Sequence, residues 1–362
     1  MSEVRQFTIA AEDDGIRLDR WFKRHLPEAS FNLVSRWSRT GQLRIDGKRA
    51  APGDRVEAGQ VVRVPPAEPA QSPQQARATP ARPTLSADEI AFAESLVIHR
   101  DPAAIVVNKP PGLATQGGTK TNVHLDGMLD AFADEERPRP KLVHRLDKDT
   151  SGALLLARSA SAAAFFSKSF AGRTARKVYW ALVVGVPDVT DGLVDLPLAK
   201  QPGTGGEKMC VDEENGLPSR TRYRVIDRAG NRTAWVELQP LTGRTHQLRV
   251  HMAAIGHPIV GDGKYAGQDA FLTGAISRKL HLHARRLRID HPAGDRIDVT
   301  AALPQHFAES LAGLGFDEAD GDLPLDEVKF GETPEGKKRA TAAHAKAVRK
   351  ERKGERRNRS RR

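Results

Sequence analysis

The chain has 362 residues, of which 39% are hydrophobic and 28% charged, a composition typical of a soluble globular protein with more than one domain. A single cysteine, Cys210, argues against a disulfide framework and against a cysteine zinc site. The sequence shows no apolar leader and no long apolar run, which argues against secretion and membrane insertion. These features predict a cytoplasmic protein. The net charge of +11 favours a polyanionic partner such as a nucleic acid.

Residues 1–64 show the pattern of a small α/β domain. Apolar residues recur at helical spacing over residues 17–26, and Ser30 is suited to cap a second helix over residues 31–40. Asp46-Gly47 then predicts a two-residue turn between two short strands.

Five basic side chains gather around the second predicted helix and the hairpin: Arg36, Arg39, Arg44, Lys48 and Arg49. Such a cluster is either an ordinary solvated face or a surface for an RNA backbone. The order of Arg17-Leu18-Asp19, a helix ending at Gly41 and residues 43–48 resembles the S4 RNA-binding domain. The resemblance implies RNA contacts by Arg36, Arg39 and Lys48.

Composition divides the rest of the chain into four segments. Residues 65–87 are rich in Pro, Ala, Gln and Ser and predict a flexible linker. Residues 88–316 are long enough for a domain with a substantial core. An acidic spacer is predicted at residues 317–335, and the 13 basic and two acidic residues of 336–362 predict a basic, disordered tail.

Short apolar runs and alternating segments within residues 88–316 predict more strands than helices. Strands are predicted at residues 97–101, 104–108, 153–157, 177–185, 220–225, 233–238 and 280–290. Helices are predicted at residues 124–132, at residues 161–170, and from Thr245 as a cap to Gly256. Because residues 220–225 and 233–238 alternate as half-buried antiparallel strands do, we expect an α+β fold with a mixed, mainly antiparallel sheet.

A charged loop precedes the apolar run of residues 153–157, and Asp147 lies in it between Arg145 and Lys148. Loops held by a rigid scaffold often carry chemistry. If either cation faces Asp147, the carboxylate stays ionised and can act as a nucleophile or a general base. An ordinary solvated turn is the other interpretation.

Two further stretches place polar groups beside predicted core elements. Tyr179 lies in a predicted strand and either stacks on a base or belongs to the core. Arg244 and Arg249 lie near the start of a predicted helix, where they either bind phosphate or a carboxylate or face solvent. Gathered around Asp147, these groups would suit a nucleotide substrate.

The histidine pairs of the sequence favour structural roles over a metal site. His246 and His251 are five residues apart and do not share a helix face. His281 and His283 share a strand face but have no evident carboxylate or cysteine partner.

Residues 144–152, with the sequence HRLDKDTSG, resemble the signature of the RluA-type pseudouridine synthases. Other segments typical of that family follow the same order, at residues 108–112, 177–181, 243–251 and 280–284. The resemblance covers residues 90–305, and an S4-like domain is common in the family. Gln116-Gly117-Gly118 and His124-Leu125-Asp126 favour the members that act on large-subunit ribosomal RNA, in particular the RluC kind.

The resemblance implies the pseudouridine-synthase fold and the isomerisation of uridine in RNA without a cofactor or a metal. The C1′–N1 bond breaks, the uracil turns, and C5 bonds to C1′, so that nothing leaves. Asp147 would be the essential carboxylate, and it would either attack C1′ or remove the C2′ proton. Tyr179 would pack on the uracil and assist proton removal at C5, and Arg249 would pair with Asp147 to keep it ionised and oriented.

Further roles on the RNA follow from the same resemblance. Arg145 would help to fill the space that a flipped-out nucleotide leaves. Leu282 would form a wall of the pocket, and Arg244 would contact the RNA. The S4-like domain and the basic tail would add phosphate contacts, so that loss of residues 336–362 weakens RNA binding mainly at low salt.

The implied partner is large-subunit ribosomal RNA, bound by a cytoplasmic monomer without a membrane or a metal. Within the family, other sites in ribosomal RNA or transfer RNA are the alternative substrates. From other classes, a non-catalytic RNA-binding assembly factor would keep the fold. A metal-dependent sugar-nucleotide enzyme would use Asp147 and Asp149 and would be inactivated by a chelator.

Overall fold

A computed structural model describes residues 5–66, 84–118, 123–134, 137–202, 208–274 and 276–322. The chain divides into two compact units, residues 1–83 and 84–362. Most of the predicted linker and of the acidic spacer, and the whole of the predicted basic tail, lie outside the described residues. None of the described helices has both the length and the apolar character needed to cross a membrane.

The N-terminal unit combines a four-stranded antiparallel sheet of order β1-β4-β2-β3 with two helices. Its elements are β1 (Arg5–Thr8), α1 (Leu18–His25), α2 (Phe31–Arg39), β2 (Arg44–Ile45), β3 (Lys48–Arg49) and β4 (Val61–Val64). Ser30 caps α2 by accepting a hydrogen bond from the Leu33 amide, as its sequence predicts. Asp46 and Gly47 both have positive φ, which confirms the predicted hairpin turn.

The second unit is built around one large sheet. Its strands are β5 (Val97–Arg100), β6 (Ala104–Lys109), β7 (Lys141–Leu142), β8 (Ser151–Ala157), β9 (Arg176–Val184), β10 (Asp191–Asp195), β11 (Leu198–Lys200), β12 (Met209–Val211), β13 (Arg220–Ala229), β14 (Thr233–Pro240), β15 (Leu282–Asp290) and β16 (Arg296–Thr300). Its α-helices are α3 (Ala87–Ser95), α4 (Leu125–Met128), α5 (Ala160–Ala171), α6 (Gln247–Ala254), α7 (Gly263–Ala266) and α8 (Gln305–Leu314).

The order of the large sheet is β10-β13-β14-β9-β15-β8-β6-β5, with β16 on β15 and β7 on β8. The strands β11 and β12 form a separate hairpin. Within the described residues the pairing of β15 with β8 is parallel and every other pairing is antiparallel. The predicted α+β fold with a mixed, mainly antiparallel sheet is therefore confirmed.

Both faces of the central strands are covered. Tyr179 packs with Leu248 and Met252 of α6 on one face, and Trp180 and Trp235 pack with Phe307 of α8 on the other. As a result β14 is buried over its first six residues, and the expected half-buried alternation of residues 233–238 is wrong.

Gly152 brings two of these strands unusually close. It has a φ of +112° and pairs with Ala284 where β8 runs parallel to β15. A Cβ at this position would overlap the carbonyl oxygen of Ala284, so only glycine fits here. The last residue of the 144–152 signature thus fixes the loop before β8 against the strand that carries Leu282.

The folded region extends beyond the predicted domain at both ends. Helix α3 begins at Ala87 with a capping box between Ser86 and Glu89, a signal that the sequence interpretation overlooked. At the other end a 3-10 helix (Glu318–Gly321) packs Gly321 against Trp180 and Trp235. The first residues of the predicted acidic spacer therefore pack on the core of this unit.

Arg285 explains why an acidic segment is held there. Its buried guanidinium lies 4.2 Å from the centre of the Trp180 ring and pairs with Glu318 and Asp322. Because a buried cation needs an opposite charge, these carboxylates stabilise the end of the described chain.

Candidate active site

A cleft of about 1080 Å³ opens in the second unit beside the loop between β7 and β8. Six residues that the sequence proposes as functional line it together: Asp147, Tyr179, Arg249, Arg145, Leu282 and Arg244. Residues from four separate stretches of the chain therefore meet around one space, as the sequence interpretation expected.

The Asp147 loop is held through its main chain. The buried Lys109 ammonium donates hydrogen bonds to the carbonyl oxygens of Pro110, Leu113 and Lys148, at 3.0, 2.7 and 3.0 Å. The Thr115 hydroxyl donates to the carbonyl of Leu146 at 2.7 Å. Lys109 and Thr115 thus bind backbone atoms on both sides of Asp147, and the Asp147 side chain faces the cleft.

Lys109 is a functional residue whose role the sequence did not reveal. Burial lowers its pKa to about 8, while Asp149 and Asp147 oppose that shift. Its three carbonyl partners use all three protons of an ammonium group, which fits the charged form at neutral pH. Residues 108–112 form a segment typical of the family, and Lys109 and Gly112 of this segment bind the main chain of the loop at Lys148.

His144 fastens the start of the same loop to β8. Its Nε2 accepts a hydrogen bond from the Leu155 amide at 2.8 Å, and its ring stacks on Phe170 at 4.2 Å between centres. Burial, with a smaller contribution from Lys177, lowers the pKa of His144 to about 3. The ring is therefore neutral and can accept that hydrogen bond.

Tyr179 lies on β9 with 9% of its surface exposed, and it both belongs to the core and lines the cleft. Burial and the neighbouring Asp147 raise the pKa of the Tyr179 phenol far above its ordinary value. The side chain therefore keeps its proton at neutral pH and does not enter a reaction as a phenolate. Leu282, on the adjacent strand β15, is buried and lines the same space.

Arg249 has a different main partner from the one expected. Its Nε and Nη2 donate to the two carboxylate oxygens of Asp262 at 2.8 and 2.7 Å. Asp147 lies 4.0 Å from Nη1. The predicted pairing with Asp147 is thus a longer ionic contact, and the hydrogen-bonded pair is the buried one with Asp262.

The N-terminus of α6 also departs from the prediction. His246, and not Thr245, is the residue that caps the helix, and it has a left-handed φ of 52°. This backbone places the Nε2 of His246 3.8 Å from an oxygen of Asp147. The sequence argues against a zinc site at His246, and no local pattern predicts its contact with Asp147.

Comparison with known proteins identifies the family of the chain. Residues 103–254 match the family of RNA pseudouridylate synthases. The ribosomal large subunit pseudouridine synthase C of Vibrio cholerae is 34% identical over 328 residues, which cover 87% of this chain and 99% of the relative. The protein of the same name from Haemophilus influenzae is 34% identical over 316 residues, which cover 86% of this chain and 96% of the relative. The chain belongs to the RNA pseudouridine synthase family.

A solved structure supports the same assignment. Human RNA pseudouridylate synthase domain containing 4 superposes with a TM-score of 0.54 and 30% sequence identity, covering 63% of this chain and 97% of that chain. The pseudouridine synthase described here is accordingly an isomerase that acts on RNA.

Electrostatics of the synthase cleft favour a polyanion. Among the described residues, its lining contains a single acid, Asp147, and seven basic side chains: Arg145, Arg173, Arg176, Lys177, Arg222, Arg244 and Arg249. Arg145 is exposed, and Arg244 is half-buried with its Nε donating to the carbonyl of Pro218. Such a lining suits an RNA backbone that bends around one extruded nucleotide.

The remaining predicted residues lie elsewhere in the synthase. Arg36, Arg39 and Lys48 belong to the N-terminal unit, where all three are exposed. His281 and His283 have the structural roles expected of them, since they are buried and bind Ser310 and Ser151. Across the described ranges, no group of three or more metal-ligating His, Cys, Asp or Glu side chains occurs.

Proposed function

We propose that this synthase converts specific uridines of large-subunit ribosomal RNA to pseudouridine, with Asp147 as the reacting carboxylate. The observation that supports the role of Asp147 is that, within the part of the chain that the structure describes, it is the only acid lining the cleft, beside seven basic side chains. Relatives named ribosomal large subunit pseudouridine synthase C, matched over almost their whole length, support the substrate.

The geometry suits a carboxylate that works on C1′ or C2′ of one ribose. The Asp147 side chain is 22% exposed and faces the cleft, within 4.0 Å of the Arg249 guanidinium. The guanidinium lies close enough to orient the carboxylate, which either forms a bond to C1′ or takes the C2′ proton. Both routes release the uracil from C1′ and end with C5 bonded there.

The other residues of the cleft hold the detached base. Tyr179 presents a neutral ring and hydroxyl against which a uracil can turn, and Leu282 excludes water beside it. Over the reaction C5 loses a proton and N1 gains one, so the atoms balance without a co-reactant. Arg145, exposed at the cleft, is placed to occupy the stack that the nucleotide leaves.

We further propose that the N-terminal unit is an S4-like RNA-binding domain and that the enzyme acts as a cytoplasmic monomer. Arg36, Arg39 and Lys48 are exposed on that unit, which suits contacts with phosphate. The basic segment of residues 336–362, outside the described residues, would add salt-dependent affinity.

Mapping of pseudouridines tests the substrate. Large-subunit ribosomal RNA from cells that lack the protein should miss one or more pseudouridines, and the gene on a plasmid should restore them. An unchanged map of this RNA, with pseudouridines lost from transfer RNA instead, would overturn the ribosomal assignment and leave the family chemistry standing.

A further inference from the structure

His246 lies between the proposed catalytic carboxylate and a tyrosine. Its Nε2 is 3.8 Å from an oxygen of Asp147, and its Nδ1 is 2.6 Å from the hydroxyl of Tyr265. The Tyr265 hydroxyl also accepts a hydrogen bond from the Met209 amide at 3.1 Å. A continuous chain of polar groups thus runs from the β11–β12 hairpin to Asp147.

These contacts favour one tautomer of the imidazole. The Tyr265 oxygen accepts from the Met209 amide, which leaves its O–H group to donate to Nδ1 of His246. A neutral imidazole with an accepting Nδ1 has its proton on Nε2. The N–H group of His246 therefore faces Asp147.

The neutral form of His246 is favoured by its surroundings. Burial lowers the pKa of this histidine, and the cations Arg249 and Lys264 lower it further against the opposing effect of Asp147 and Asp262. At pH 7 the ring accordingly offers Asp147 one N–H dipole and no full charge.

Asp147 is short of hydrogen-bond donors. Among the described residues its carboxylate makes ionic contacts with His246 and Arg249 at 3.8 and 4.0 Å, both longer than a hydrogen bond. Hydrogen bonds of this kind are often long in a free enzyme and shorten when the substrate binds. Arg249 is fixed by the two hydrogen bonds from its Nε and Nη2 to Asp262, so its Nη1 and the Nε2 of His246 are the two nearest donors to Asp147.

We propose that Tyr265 and His246 are positioning residues, which hold one N–H group towards Asp147 and fix the carboxylate in its reactive orientation. The proposal rests on the catalytic role proposed for Asp147. Tyr265 acts through His246 by fixing its tautomer, and His246 acts through Asp147.

The backbone of His246 provides a way to separate this role from a structural one. A left-handed φ of 52° is unfavourable for histidine and easy for glycine. His246→Gly therefore keeps the start of α6 and removes only the imidazole. If the histidine served the backbone alone, this variant would be fully active.

The experiment measures kcat and KM for pseudouridine formation in an RNA substrate, using the full chain. His246→Gly should lower kcat about 10- to 100-fold and change KM less than about threefold, since a donor to the reacting carboxylate is lost and RNA contacts are kept. His246→Gln, which offers an amide N–H, should recover part of kcat.

A second variant tests the link through Tyr265. Tyr265→Phe keeps the ring and removes the hydroxyl, so it should lower kcat by less than His246→Gly does. Combined with His246→Gly it should cause no further loss, because its effect passes through the imidazole. Thermal unfolding of each variant shows that the full chain is folded.

Each remaining outcome decides against one part of the account. Full kcat in folded His246→Gly overturns the positioning role of His246, and losses that simply multiply in the double variant overturn the link through Tyr265. Activity in Asp147→Asn would instead remove the proposed catalytic carboxylate itself, so the two failures are distinguishable.

Discussion

The two sides of the cleft are held in different ways. On one side, the loop of residues 144–150 is gripped through its main chain by Lys109 and Thr115. On the other, residues 242–249 are held by side-chain pairs, in which Gln247 binds Thr242 and Arg249 binds Asp262. A substitution on the second side therefore removes a hydrogen bond that holds that side in place. A substitution at Asp147 leaves the hydrogen bonds that hold its loop intact.

The largest effect is expected on the side held by side chains. Asp262→Ala leaves the buried Arg249 without its hydrogen-bonded partner and should lower the free energy of unfolding by about 3–5 kcal/mol. Activity should fall as well, since Arg249 loses the orientation that sets its charge near Asp147. Equilibrium urea unfolding and kcat measure the two consequences.

Asp269→Ala is the matched control for that variant. This acid is exposed in the short 3-10 helix Gly267–Ala270, seven residues further on, so its loss should change the free energy of unfolding by less than about 0.5 kcal/mol. Equal stability of the two variants would contradict the importance of the buried pair.

A smaller effect is expected where the main chain is held. Lys109→Met removes the donor to three carbonyl oxygens and should destabilise the protein by about 2–4 kcal/mol. One of those carbonyls belongs to Lys148, which directly follows Asp147, so the variant should displace the reacting carboxylate. We therefore expect kcat to fall more than RNA affinity. Lys148→Met, which alters an exposed side chain and keeps that carbonyl, should leave the unfolding free energy nearly unchanged.

Acid should destabilise the second unit, because burial lowers the pKa of several of its histidines. Burial lowers the pKa of His144 and His283 to about 3 and of His251 and His281 to about 4. In the unfolded chain the pKa is about 6.5, so the unfolded state takes up protons first as the pH falls. The stability that these histidines contribute is therefore fully present above about pH 6.5 and is lost progressively towards pH 3.

The variant His251→Gln measures how much His251 contributes to the loss of stability in acid. The histidine accepts from Thr221 and donates to the carbonyl of Leu196, and glutamine offers the same two functions without titrating. Urea unfolding between pH 6 and 4.5 should show a slope lower by about 1.4 kcal/mol per pH unit than in the wild type. An identical slope would mean that His251 is protonated in the folded protein.

Sequence reasoning found the parts of the site that are local in the chain. The signature of residues 144–152 predicts the Asp147 loop from sequence alone. Its residues are consecutive, and both the Leu146 anchor and the close approach at Gly152 constrain their identity. Tyr179, Arg249 and Leu282 came from the resemblance, and the structure places all three in the same cleft.

The missed features depend on contacts between distant residues. Asp262 and Tyr265 follow α6 in a short segment with no motif of its own, and only the folded chain brings them to Arg249 and His246. Likewise the burial of residues 233–238 depends on helices covering both faces of the sheet, which an alternating pattern does not specify. The capping box at Ser86 is a local signal, but it lies beside a segment whose composition is that of a linker.

The central claim is that Asp147 is the carboxylate that reacts. The most direct test compares Asp147→Asn with the wild type for pseudouridine formation in large-subunit ribosomal RNA, together with RNA binding and thermal unfolding. The account predicts a rate lower by about 1,000-fold or more, with unfolding and RNA affinity nearly unchanged, because the loop is held by its main chain. Turnover within about tenfold of the wild type would contradict it.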